Sequence, residues 1–135
     1  MRRLWLIVLA LVATACSGDT CNTPFGDGAD IDIYQTGFSA LANPGGTATV
    51  NRGHRGIVVR CESLGNYVAF ELTCPLDHDM QMVPDERDFA MSVRCPRCGS
   101  QCELINGNPC TGAATACPLY RYETTFHDGH YILIW

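Results

Sequence analysis

Short apolar runs broken by turn residues dominate the chain, and their period is two rather than 3.6. Ile31-Asp32-Ile33-Tyr34 alternates as a half-buried edge strand does. Thr47-Ala48-Thr49-Val50 follows a strong turn signal at Asn43-Pro44-Gly45-Gly46. Ile57-Val58-Val59-Arg60-Cys61 reads as a buried strand. Leu64-Gly65-Asn66 then turns it into Tyr67-Val68-Ala69-Phe70-Glu71-Leu72, the second arm of a hairpin. Phe89 to Arg94 is a further strand, and Leu104-Ile105 precedes a hairpin-type turn at Asn106-Gly107-Asn108-Pro109. Tyr120 to Thr124 and Tyr131 to Ile134 close the chain around a turn at Asp128-Gly129. No stretch beyond residue 15 keeps a helical period over a useful length. The pattern predicts an all-β fold, a small sandwich or barrel of short antiparallel strands.

The first fifteen residues follow different rules. Arg2 and Arg3 precede nine apolar residues, Leu4 to Val12, and then the small-residue site Ala13-Thr14-Ala15 before Cys16. Nine apolar residues are too few to span a bilayer as a helix. The segment resembles a bacterial lipoprotein signal, which implies lipidation of Cys16 and an exported chain held on a membrane by lipid. A plain secretory leader, with Cys16 an ordinary thiol, is the alternative. Residues 16–29, polar and rich in Gly, Asp and Thr, read as a tether, and residues 30–135 as one domain.

Charge narrows the partners. The 135 residues carry a net charge of -5, with Arg as the sole basic residue type. Loss of Arg2 and Arg3 with the leader leaves 7 Arg against 14 acidic residues. So acidic a chain is a poor nucleic-acid binder and lacks a basic cluster for anionic lipid.

Nine cysteines stand at positions 16, 21, 61, 74, 95, 98, 102, 110 and 117. In an exported chain an even remainder of eight suggests disulfides. Two segments suggest metal: Cys74-Pro75-Leu76-Asp77-His78 and Cys95-Pro96-Arg97-Cys98-Gly99-Ser100. A Cys-x-x-Cys knuckle next to Gly aims two thiolates at one point, and an earlier Cys and His supply two more ligands. Cys74, His78, Cys95 and Cys98 make a Cys₃His set that suits tetrahedral zinc or a [2Fe–2S] cluster. His54, His127 and His130 lie in turns and are assigned no role.

Two Cys-led loops separated by a strand, the second reading Cys-Pro-x-x-Gly-Ser, resemble the Rieske domain. Thr111-Gly112-Ala113-Ala114-Thr115 resembles that family's Gly-Pro-Ala shielding loop, and Pro118-Leu119-Tyr120-Arg121-Tyr122 its Pro-Leu-x-x-Tyr strand. The resemblance covers roughly residues 30–135 and implies a small Rieske-like β-sandwich with two ligand loops. It also implies a [2Fe–2S] cluster, with Ser100 matching a serine that hydrogen-bonds a cluster sulfur. The function implied is one-electron transfer to a redox partner at the membrane, as a carrier or subunit rather than a stand-alone enzyme. Against the family pattern, His78 lies four residues after Cys74 rather than two, and Cys98 replaces a histidine. Cys102 replaces an aromatic residue and Ala113 a proline. The cysteines that link the two ligand loops in some family members are absent. The alternative function is a structural or binding module of the same fold that holds zinc or disulfides without a redox cluster. Cys110 and Cys117 flank a short loop and form a candidate disulfide that would pin the shielding segment.

Overall fold

A computed structural model describes residues 22–85, 92–105, 110–111 and 117–135. The leader, Cys16, Cys21, the turn at 106–109 and most of the shielding segment lie outside the described residues. The architecture is all-β, as the alternation predicts. Its strands are β1 (Ala29–Asp32), β2 (Thr47–Val50), β3 (Ile57–Ser63), β4 (Asn66–Glu71), β5 (Val83–Pro84), β6 (Ser92–Arg94), β7 (Gln101–Glu103), β8 (Arg121–Tyr122), β9 (Thr124–His127) and β10 (Tyr131–Ile134). One 3₁₀ turn, Ser39–Ala42, enters the interior through Leu41. Among the described residues, no helix is long and apolar enough to cross a membrane.

The strands form three antiparallel sheets: β1-β10-β9, β2-β3-β4-β8 and β5-β6-β7. The second sheet is the middle layer. Its strands β3 and β4 read as near-continuous apolar runs because both faces are covered. Successive side chains point to opposite faces. Ile57, Val59, Cys61, Tyr67 and Ala69 therefore enter a core shared with Ile31, Ile132 and Ile134 of the first sheet. Val58, Val68, Phe70 and Leu72 enter a second core shared with Met82, Val93 and Leu104. Cys74, Cys95, Cys102 and Cys110 belong to that second core.

Glu71, at the end of β4, is fully buried. Its carboxylate accepts the backbone N–H groups of His54 and Arg55, both at 2.8 Å. It also accepts the Tyr122 hydroxyl at 2.7 Å and the Thr73 hydroxyl at 2.7 Å. Burial is the largest influence on its ionisation and raises the pKa; the donors from His54, Tyr122, Arg55 and Thr73 outweigh it and hold the carboxyl below its usual range. A buried charge with this many partners is satisfied rather than stranded. It fastens the loop between β2 and β3 to the middle sheet.

The predicted Cys110–Cys117 disulfide does not form. Cys110 is bonded to Cys102, and Cys117 is itself disulfide-bonded. Thr111 pairs with Gln101 through two 2.8 Å backbone bonds, which lays Cys110 against β7 beside Cys102. Cys110 meets Cys117 through its backbone N–H instead, at 2.9 Å. Closing the eight-residue separation stabilises by roughly 2–3 kcal/mol in the chain-entropy description. Cys61 stays a free thiol. It lies in the first core and Cys102 in the second, so the middle sheet separates them.

Candidate metal centre

The two cysteine loops leave the same end of the third sheet. The first follows β4 and is closed by the Thr73–Gln81 bridge and by Cys74 N–H donating to the Met80 carbonyl at 3.0 Å. The second is the connection between β6 and β7. Val83 on β5 pairs with Arg94 on β6, so the residues that end the first loop lie beside those that begin the second.

Each loop bends so that backbone N–H groups face sulfur. Asp77 N–H donates to Cys74 Sγ at 3.4 Å, and Cys98 N–H to Cys95 Sγ at 3.5 Å. Gly99, at φ +78°, turns the chain back through its N–H to the Cys95 carbonyl at 3.0 Å. A side chain disfavours that left-handed conformation, so glycine follows the knuckle for a steric reason. Cys95 N–H then bonds the Ser100 carbonyl at 2.9 Å and closes the hairpin.

The sulfurs of Cys74, Cys95 and Cys98 all lie within 4.8 Å of one another. Cys74 Sγ and Cys98 Sγ are 3.5 Å apart. Cys74 and Cys95 are fully buried, and Cys98 is partly exposed. Burial pushes the Cys74 thiol up to about 12, with the neighbouring cysteines adding to the rise against the Asp77 and Leu76 N–H groups. Burial also acts to raise Cys98, but the Ser100 hydroxyl 3.1 Å away and the Ser100 backbone, with Cys95 and Cys74, draw it down to about 7. Ser100 is fully buried, so its hydroxyl is directed at this sulfur without competing water. Without metal, the triad therefore carries one readily formed thiolate at its exposed corner.

Three of the four ligands expected from the sequence converge here. His78 is not among the converging atoms: its Nε2 lies 3.1 Å from the Pro75 carbonyl. The long Cys74–His78 spacing places the ring back over its own loop. The sequence reading missed a clasp between the loops, in which Arg97 reaches across to Asp77 with N–O distances of 3.1 and 3.3 Å. It also missed Arg55, whose Nε donates to the His78 carbonyl at 2.7 Å and ties the first loop to the Glu71-held loop. The visible signal for the clasp was acidic residues, Asp77 and Asp79, in the first cysteine loop and Arg97 in the second.

A tetrahedral ion with metal–sulfur bonds of about 2.3 Å spaces its sulfurs about 3.8 Å apart. The spacing of the triad is of that order. The three sulfurs lie close enough together to serve one metal centre. No family model, curated protein or solved structure matches the chain.

Proposed function

We propose that this protein is an exported, lipid-anchored β domain of Rieske-like fold whose cysteine loops hold one tetrahedral metal ion, zinc, as a structural and binding module. The observation that carries the reading is the convergence of Cys74, Cys95 and Cys98 sulfurs within 4.8 Å. Thiolate donors with N–H···S bonds suit a d¹⁰ ion with no redox step of its own. His78 is the proposed fourth ligand. Its bond to the Pro75 carbonyl is a single neutral hydrogen bond, with a net contribution of about 0.5–1.5 kcal/mol. Structural zinc binds with about 10–16 kcal/mol, so that bond does not hold the ring away from the metal. When bound, zinc supplies cross-linking of the two loops, and the chain's own residues supply the deprotonated sulfurs and the clasp that aligns them.

Elemental analysis of the mature protein tests this. One zinc per chain, in a colourless protein that loses it on His78→Gln or Cys98→Ser, is the expected result. Two irons and two acid-labile sulfides per chain, with visible absorbance and an EPR signal after reduction, would overturn it. That outcome supports the second reading, one-electron transfer through a [2Fe–2S] cluster to a partner at the membrane. The observation favouring that reading is the buried Ser100 hydroxyl, 3.1 Å from Cys98 Sγ. Lipid attachment is checked separately: Cys16→Ala is expected to release the protein from the membrane fraction.

A further inference from the structure

The loop between β2 and β3, Asn51-Arg52-Gly53-His54-Arg55-Gly56, is the most cationic turn of an acidic chain. With Gln81 it lines a cleft of about 200 Å³. Its lining side chains are Asn51, Arg52, His54, Arg55 and Gln81, two of them guanidinium groups, and none carries a carboxylate. Among the described residues, neither Arg52 nor His54 has an ion-pair partner. Other arginines are engaged: Arg60 with Glu62 at 3.9 Å, Arg97 with Asp77, and Arg121 over the Phe70 ring. Arg55 meets Asp79 at 3.9 Å, and that carboxylate is 85% exposed at the rim.

The loop is held rigidly before any ligand arrives. Gly53 N–H bonds the Asp27 carbonyl at 2.8 Å, the Gly56 carbonyl accepts Leu72 N–H at 2.8 Å, and the His54 and Arg55 N–H groups bond Glu71 beneath. Gly53 has φ +73°, and a Cβ there would stand 2.5 Å from Glu71 Oε1. Inward backbone donors are thus consumed by Glu71, and recognition at the cleft falls to the outward side chains. Arg52 and His54 are set on a fixed backbone frame, so binding has to order their side chains and not the loop.

We propose that this cleft binds a small oxyanion, a phosphate or a carboxylate, held by Arg52 and His54 with Asn51 and Gln81 as neutral donors. The volume is below the range of drug-sized ligand pockets and suits a compact anion with some of its water. Guanidinium groups match both oxyanions in a two-pronged geometry. The cleft also adjoins the first cysteine loop, because Arg55 bonds the His78 carbonyl and Gln81 bonds the Arg55 carbonyl at 2.5 Å. The site does not depend on which metal, if any, the cysteines hold.

Titration calorimetry of the mature full-length chain at low ionic strength, with sodium phosphate, sodium acetate and sodium chloride, tests it. Saturable one-to-one binding of phosphate or acetate, and not of chloride, is the expected result. Preference for phosphate assigns a phosphoryl ligand, and equal or stronger acetate binding a carboxylate one. Arg52→Gln is expected to weaken binding about tenfold, the loss of one charge-assisted hydrogen bond. His54→Glu, which puts a carboxylate in the cleft, is expected to abolish it, and Arg121→Gln to leave it unchanged. Absence of saturable binding, or equal weakening by Arg52→Gln and Arg121→Gln, would overturn the assignment.

Discussion

Single groups decide the chemistry of this domain. The Ser100 hydroxyl is the clearest case, because the acidity of the exposed thiol depends on it. Ser100→Ala is expected to raise the Cys98 thiol from about 7 towards its ordinary value. Alkylation of the metal-free protein at neutral pH would then slow several-fold, as thiolate is the reacting form; an unchanged rate would show that the hydroxyl does not act on the sulfur. Glu71 is the second case. Glu71→Gln keeps the shape but turns an amide donor towards backbone N–H groups, and each orphaned buried donor costs roughly 1–3 kcal/mol. Because the folded carboxyl is held below its unfolded value, its contribution is complete above the unfolded pKa and is lost as pH falls through the folded one. The mutant's acid unfolding, followed by circular dichroism, should be shallower than that of the parent in that range.

At the level of elements, the first sheet is tied across its width. His127 on β9 has Nε2 2.9 Å from Asp30 on β1 and Nδ1 3.1 Å from Asp128. The hydrogen bond to Asp30, then that to Asp128, raises its pKa. A raised histidine stabilises fully below its unfolded value, near 6.5. That support fades as pH rises through the higher folded value. Thermal melts of His127→Gln should therefore match the parent at alkaline pH and fall below it in mild acid. Strand identities were largely legible: β2, β3, β4 and β10 lie where the alternation put them, and Asp128 and Gly129 both take positive φ in the turn between β9 and β10. β5 was not legible, because two residues, Val83 and Pro84, carry no period. β7, Gln101–Glu103, was not legible either, as its three residues alternate too briefly to show a period. The 3₁₀ turn at Ser39–Ala42 is too short to show one either.

At the scale of the whole molecule, the described residues form two cores that share one sheet, with Cys61 in the first and Cys74, Cys95, Cys102 and Cys110 in the second. Spacing alone did not reveal that division. Cys110 and Cys117 are close in sequence, yet pairing follows the Gln101–Thr111 bridge that lays Cys110 beside Cys102. The triad was legible because its loops carry their own turn signals. The position of His78 was not, because it depends on how the longer loop folds over Pro75. Loss of metal should fall unevenly on this arrangement. Chelation is expected to speed amide exchange in β6 and β7, which flank the second loop, before β9 and β10, whose core holds none of the triad. Equal acceleration in both regions would show that the cysteine loops do not support the second core separately.

The middle sheet carries a risk that polarity does not remove. Where one face of a strand is wet, a one-residue slip exposes apolar groups and is rejected. On β3 and β4 both faces are dry, and Ile57, Val58 and Val59 suit either side. Glu71 resolves the ambiguity: one carboxylate must meet the His54 and Arg55 amides, and a slipped pairing would strand it in an apolar layer. The residue thus serves as a register lock during folding, in addition to its place in the finished structure. Refolding of Glu71→Leu, similar in bulk but without charge, should yield a mixture of strand alignments, seen as doubled amide resonances along β3 and β4.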